Sequence, residues 1–191
     1  KACPNFSFVP IDEIVQKLRQ QKDANELENI RKAIEIAEQA FKKTLQGVKP
    51  GRSEKEIAAL LVLNLLQSGS DPDLPFSPIV ASGPHSADPH AMTTDRTLKN
   101  GDLVVIDWGA RYNHYISDLT RTISIGKPRK EFEKIARIIN EANAVGREKA
   151  KEDILCSEID KETRSIITKA GYGEFFMHRT GHGIGIEAHE A

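Results

Sequence analysis

The chain has 191 residues, 39% of them apolar, enough to bury one core but not comfortably two. Its 27 basic and 28 acidic side chains leave a net charge of -1, which argues against a polyanionic partner such as nucleic acid and against an anionic membrane surface. No apolar run approaches the roughly 20 residues of a membrane-spanning helix, and Cys3 and Cys156 have no ligand-like spacing. A reduced, cytoplasmic setting suits two such cysteines better than a disulfide scaffold does.

In chain order, Lys1-Ala2-Cys3-Pro4 lacks both an initiator Met and a signal-peptide core, so the chain is expected to begin mid-protein. Residues 1–22, with Pro4 and Pro10, read as a connector from a preceding domain, and 23–191 as an incomplete catalytic domain. Asp23-Ala24-Asn25-Glu26 is a capping box. Leu27, Ile30, Ile34, Ala37, Phe41 and Leu45 then mark one apolar helix face that ends at Gly47. Ser53 and Glu56 form a second capping box, opening a helix over Ile57 to Leu66 that closes at Gly69. A proline-rich loop leads to a short strand, Pro78 to Ser82. Leu103 to Trp108 and Tyr115 to Ile125 read as two strands around a tight turn.

The pattern then restarts. Phe132, Ile135, Ile138, Ile139, Ala142 and Val145 predict a second long amphipathic helix, and Ser157 with Asp160 predicts the capped start of a shorter one ending near Gly171. Long helices starting near 25 and 129, and short ones starting at Ser53 and Ser157, share an offset of 104, which suggests a duplicated unit. That repeat places a second hairpin at about 207–229, past Ala191.

Chemistry concentrates in two places. With Tyr112-Asn113 as the turn's tip, Asp107 and Asp118 face each other, their Cβ atoms about 5 Å apart. Two opposed acids on a ribbon containing Val104, Val105 and Ile106 destabilise it unless a divalent cation compensates. The alternatives are a shifted register, or two carboxylates that merely cap loops. The second place is Phe176-Met177-His178-Arg179-Thr180-Gly181-His182-Gly183-Ile184-Gly185, followed by His189. Three glycines in five positions exclude a helical zinc motif and favour an extended path with close backbone approach. His90 lies in a loop before the hairpin, while His85 and His114 read as structural or surface residues. An imidazole joining two carboxylates suits Mn(II), Co(II) or Fe(II), with Zn(II) also accommodated.

From about residue 24 these segments closely resemble the pita-bread metallopeptidases, a family that includes methionine aminopeptidases, Xaa-Pro aminopeptidases, prolidases and the non-metal creatinases. Ile106-Asp107-Trp108-Gly109, Ser117-Asp118-Leu119-Thr120-Arg121-Thr122, Gly181-His182-Gly183-Ile184-Gly185 and His189-Glu190 carry the resemblance. It implies an α+β fold, a pseudo-symmetric, curved, mostly antiparallel sheet backed by helices, with its C-terminal part missing here. Asp107, Asp118 and His182 would hold two divalent ions, Mn(II) or Co(II) foremost, together with two glutamates expected past Ala191. His90, His178 and His189 match catalytic, substrate-contacting positions, His178 being the histidine of the proline-specific branch. Glu187 and Glu190 match no ligand position and are read as carboxylates behind the site or at the surface.

The implied activity is hydrolysis of the N-terminal peptide bond before proline by a hydroxide bridging two metals. The implied substrate is a peptide with proline second, and a homodimer is compatible. With three ligands for two ions, the 191 residues alone are expected to hold metal weakly and to be inactive. The rival readings are a methionine aminopeptidase, against which His178 and the connector argue, and a non-catalytic binding protein on the same fold, against which the retained ligand positions argue.

Overall fold

The computed structural model describes residue 11 and residues 13–190, so the start of the expected connector, with Cys3, lies outside the described residues. Within that connector the chain is helical as α1, Glu13–Gln20. Helix α2 spans Ala24–Leu45 and α3 spans Glu54–Gln67, each opened by its expected capping box. Asp23 accepts from the Glu26 N–H and Ser53 from the Glu56 N–H, while each glutamate reaches back to its cap's backbone. The strands follow as β1 (Ile79–Ser82), β2 (Leu103–Trp108), β3 (Arg111–Tyr112), β4 (Tyr115–Ile116) and β5 (Leu119–Ser124), and the helices α4 (Lys130–Lys149) and α5 (Cys156–Lys169) complete the order. Among the described residues, no helix is long and apolar enough to cross a membrane.

The sheet is antiparallel in the order β1-β2-β5, with β3-β4 as a short ribbon extending the β2-β5 hairpin. Burial alternates along β2: Val104, Ile106 and Trp108 are buried, whereas Leu103, Val105 and Asp107 are half-buried on the other face. The strand is therefore not enclosed on both faces, and Asp107 occupies its more open side. The buried face packs on α2 and α3, where Ile57, Leu61 and Leu65 join Ile36, Ala37 and Ala40 in one core.

The buried stripe of α2 is rotated from the expected one. Ala33, Ile36, Ala37, Ala40 and Thr44 are buried, while Leu27, Ile34 and Leu45 are exposed. Alanine lets the helix sit close to the sheet, so the small residues take the inner face. Trp108 locks that contact: its indole N–H donates to the Ala37 carbonyl at 3.0 Å and its ring stacks on Phe41 at 4.4 Å.

Two further expectations need correction. Ser157 does not cap α5, which begins at Cys156 behind Leu155 with no side-chain cap; the Asp160 carboxylate is bonded elsewhere, as described below. The repeat keeps its order of long then short helix, but the helix starts lie 106 and 102 residues apart (130 less 24, and 156 less 54) rather than a uniform 104.

Candidate active site

The hairpin turns one residue later than the sequence suggested. Its tip is Asn113-His114, both at positive φ (47° and 72°), as a two-residue turn matching strand twist requires. Asn tolerates that conformation well and a bulky Tyr112 does not, so the tip moves. The register moves with it. Asp107 pairs with Thr120, not with Asp118, and the Thr120 hydroxyl donates to its Oδ1 at 2.9 Å.

Asp118 sits where the ladder is interrupted. The Ala110 N–H bonds the side-chain oxygen of Ser117 at 3.0 Å, and the buried Ser117 hydroxyl donates to the Ala33 carbonyl of α2 at 3.1 Å. Continued through that break, the register sets Asp118 opposite Gly109, diagonal to Asp107. A shift of two keeps both acids on one face, because side chains alternate with period two. The carboxylates still meet. Burial raises the pKa of Asp107, and the charge of Asp118 and a hydrogen bond shared with it raise it further, against the lowering effects of Thr120 and His182.

His182 arrives from the far end of the chain. Its Nε2 lies 3.5 Å from Asp118 Oδ2, and its Nδ1 lies 3.0 Å from the Gly183 carbonyl. A carbonyl can only accept, so Nδ1 carries the hydrogen and a neutral ring turns its Nε2 lone pair toward the acids. His189 is in the same group, its ring 4.1 Å from that of His182. The glycine-rich segment is not the extended path expected. It folds back through a bridge between Gly183 and Glu190, which brings residues seven apart together. Its crown hooks onto β4, the Ile116 N–H donating to the Gly185 carbonyl at 2.9 Å.

His178 and His90 are not joined to this group among the described residues. His178 is exposed, with Nδ1 2.8 Å from the Arg179 carbonyl and its ring edge-on to Phe176. His90 stands on an exposed turn, its backbone N–H bonded to Asp88.

Several residues that fix the loop had been read in other roles or not singled out. Asp160 and Arg164, four apart on α5, form an ion pair that also grips the loop. Arg164 donates to the Phe176 and His178 carbonyls, and Asp160 accepts from both the N–H and the hydroxyl of Thr180. The i, i+4 spacing was visible in the sequence, but its loop partners were not. Glu190, read as behind the site or at the surface, is only 6% exposed and accepts from Arg19 and Lys22 in the connector, whereas Glu187 is 66% exposed. Burial alone would raise the Glu190 carboxyl, yet Arg19, Lys22 and two backbone N–H groups bring it down to about 2. Arg164, then Thr180, hold Asp160 below its ordinary range.

Both carboxyls bind fewer protons folded than unfolded, so their stabilisation is complete above the ordinary carboxylate range and is lost as pH falls through the folded values. Between about pH 4.5 and pH 2, residues 176–190 are expected to become cleavable by an acid-active protease, with falling Tm. Glu190→Gln and Arg164→Ala should each flatten that pH dependence; an unchanged slope in both variants would reject the two clamps as its source.

Among the described residues, no three His, Cys, Asp or Glu side chains are grouped tightly enough to hold an ion on their own. The chemistry of the donors nonetheless fits a divalent cation: a repelling, half-buried carboxylate pair and an imidazole lone pair aimed at it. Such a donor set, held on a helix-backed sheet, suits a hard or borderline divalent cation.

The chain belongs to metallopeptidase family M24, whose sequence pattern matches residues 28–191. It is 42% identical over 183 residues to the Xaa-Pro dipeptidase of Pyrococcus furiosus, covering 96% of this chain and 52% of that protein. Among solved structures, an X-Pro aminopeptidase from Thermotoga maritima superposes with a TM-score of 0.93 at 43% identity, over 97% of this chain and 52% of its own. An Xaa-Pro dipeptidase from Bacillus anthracis gives 0.95 at 40% identity, over 98% and 52%. The fold is the pita-bread fold, and the chain spans about half the length of the relatives it matches.

Proposed function

We propose that the protein of which these residues form part is a metal-dependent exopeptidase that cleaves the N-terminal peptide bond before proline. The convergence of Asp107, Asp118 and His182 from two distant segments carries this reading, and the Xaa-Pro names of its relatives give the substrate class. Asp107 and Asp118 would hold two divalent cations, Mn(II) or Co(II) foremost, with His182 Nε2 on one of them and two glutamates past Ala191 completing the set. Cations held there would supply Lewis acidity and a water acidic enough to attack near neutral pH.

The chain's own residues do the rest. The Gly183 carbonyl fixes the His182 tautomer, and Thr120 orients Asp107. His189, beside His182, would donate to the carbonyl oxygen as negative charge develops on it. His178 and His90, exposed and outside this group, would be the further substrate contacts. Hydrolysis adds hydroxyl to the carbonyl carbon and a proton to the proline nitrogen as the C–N bond breaks. A glutamate past Ala191 would shuttle that proton. A reducing, cytoplasmic setting suits the exposed thiol of Cys156.

The test compares Xaa-Pro dipeptides, longer Xaa-Pro peptides and Met-Ala peptides with Mn(II)-loaded full-length protein. Turnover of the Xaa-Pro set alone is expected; preference for Met-Ala would reassign the enzyme as a methionine aminopeptidase, and turnover of none would leave a binding protein. The 191-residue polypeptide by itself is expected to emerge from desalting without stoichiometric Mn(II), since its three donors form no closed cage. Stoichiometric retention would contradict the proposed ligand set.

A further inference from the structure

The loop bearing His182 and His189 is closed from inside and held from outside. Inside, Gly183 and Glu190 exchange both backbone hydrogen bonds, at 3.2 and 2.9 Å. The Glu190 side chain then curls under the crown of the loop, where its Oε1 accepts from the Ile186 and Glu187 N–H groups. It fills the space a Cβ on Gly185 would occupy, so that residue has no side chain. From outside come two cations of the N-terminal segment: Arg19 on α1 donates to Oε1 through Nε at 3.2 Å and also through Nη2, and Lys22 Nζ donates to Oε2 at 3.0 Å.

Each feature narrows what Glu190 can do. Both its oxygens are occupied by donors, so it is not a spare cation ligand. The contact spans 171 and 168 residues, so it is tertiary and not an accident of local geometry. Arg19 and Lys22 also precede residue 28, where the family match begins.

We infer that Arg19 and Lys22 are positioning residues: through Glu190, α1 and the turn into α2 set the His182–His189 loop at the distance from Asp118 that a shared cation needs. The segment expected to be a mere connector is then a strut of the active site. The inference rests on the proposed reading in that His182 is taken as a cation ligand.

The experiment uses full-length Arg19→Ala/Lys22→Ala protein, with Arg19→Lys as the conservative control. In the metal-free protein, amide exchange at Gly183, Glu190 and Ile116 is expected to quicken about 10-fold or more, while exchange within β1, β2 and β5 changes little. Titration with Co(II), read by its visible absorption, should show about 10-fold weaker binding and altered bands, the range seen when groups behind a metal ligand are removed. With an Xaa-Pro dipeptide, kcat should fall more than KM rises. Arg19→Lys should recover most of each effect. If the double variant does not fold, Glu190→Gln carries the same readouts, since it keeps the side chain's shape and removes its charge.

Unchanged exchange together with unchanged Co(II) spectrum and affinity would overturn the strut while leaving the peptidase reading intact. Faster exchange with an unaltered Co(II) spectrum and affinity would also overturn it, reducing the contact to loop stability. A wild-type protein that binds Co(II) but cleaves no proline peptide would overturn the reading instead, and the metal-binding and exchange comparisons would still decide the strut.

Discussion

Asp107→Asn is expected to abolish peptidase activity in the full-length protein while making the metal-free protein more stable. The two effects have opposite signs because they draw on the same charge. Half-buried on the open face of β2, Asp107 is disfavoured as an anion by burial and by Asp118, and the Thr120 hydroxyl offsets part of that. Asparagine keeps the shape and the carbonyl that accepts from Thr120, but removes the repulsion. Like charges meeting across neighbouring strands cost up to about 1 kcal/mol when directly opposed, and a diagonal pair on one face falls within that bound. For a domain of this size that corresponds to a Tm gain of about 2–4 °C without metal.

With metal the ledger reverses. A carboxylate is a hard anionic ligand and an amide oxygen a weak one, so Mn(II) occupancy should collapse. Activity should fall by more than the 10–100-fold seen for residues merely behind a ligand. Calorimetry of chelated protein, metal analysis and Xaa-Pro hydrolysis measure the three quantities. Lower stability of the chelated variant would mean that Asp107 is a structural carboxylate, and full metal content would remove it from the ligand set.

The second large effect is expected at a residue with no functional group. A Cβ on Gly109 would fall inside the Ser117 carbonyl and 2.8 Å from Cγ of Pro75. Backbone is the obstacle on one side and a rigid ring on the other, so neither can swing away. Gly109→Ala must therefore push the Ser117 segment outward. Ser117 is pinned to Ala110 and to the Ala33 carbonyl of α2, and Asp118 is its neighbour, so that displacement breaks buried hydrogen bonds and moves a proposed ligand together. Overpacking a tight site costs roughly 1–3 kcal/mol and occasionally more. The upper end is expected here, with a Tm loss of about 6–12 °C and activity lost even at temperatures where the protein remains folded. A variant with native Tm and native activity would show that the hairpin break is pliable.

Local chemistry made much of this legible in advance. Asp23 with Glu26 and Ser53 with Glu56 announce two helix starts within four residues each, and both form as read. Asp107, Asp118 and His182 could be singled out because acids in an apolar ribbon and an imidazole among glycines are hard to explain as structure. The hairpin register was nearly legible. Asn113 tolerates positive φ and Tyr112 does not, so weighing turn conformation over symmetry would have set the tip one residue later. The α2 stripe was misread for a different reason: periodicity marks an apolar face, but close packing on the sheet selects the alanines.

The two boxed helix starts and the candidate donors Asp107, Asp118 and His182 were legible in the sequence, because each stands out against its immediate neighbours. Whether Asp118 would still meet Asp107 after the register shift, whether His182 would reach them, and whether Glu190 would face solvent or the connector's Arg19 and Lys22 were decided only by the tertiary structure. Those contacts join residues up to 171 positions apart, and nothing in a local pattern encodes which distant charge a buried carboxylate will find. That choice belongs to the packing of helices on the sheet, which sets which loops lie side by side.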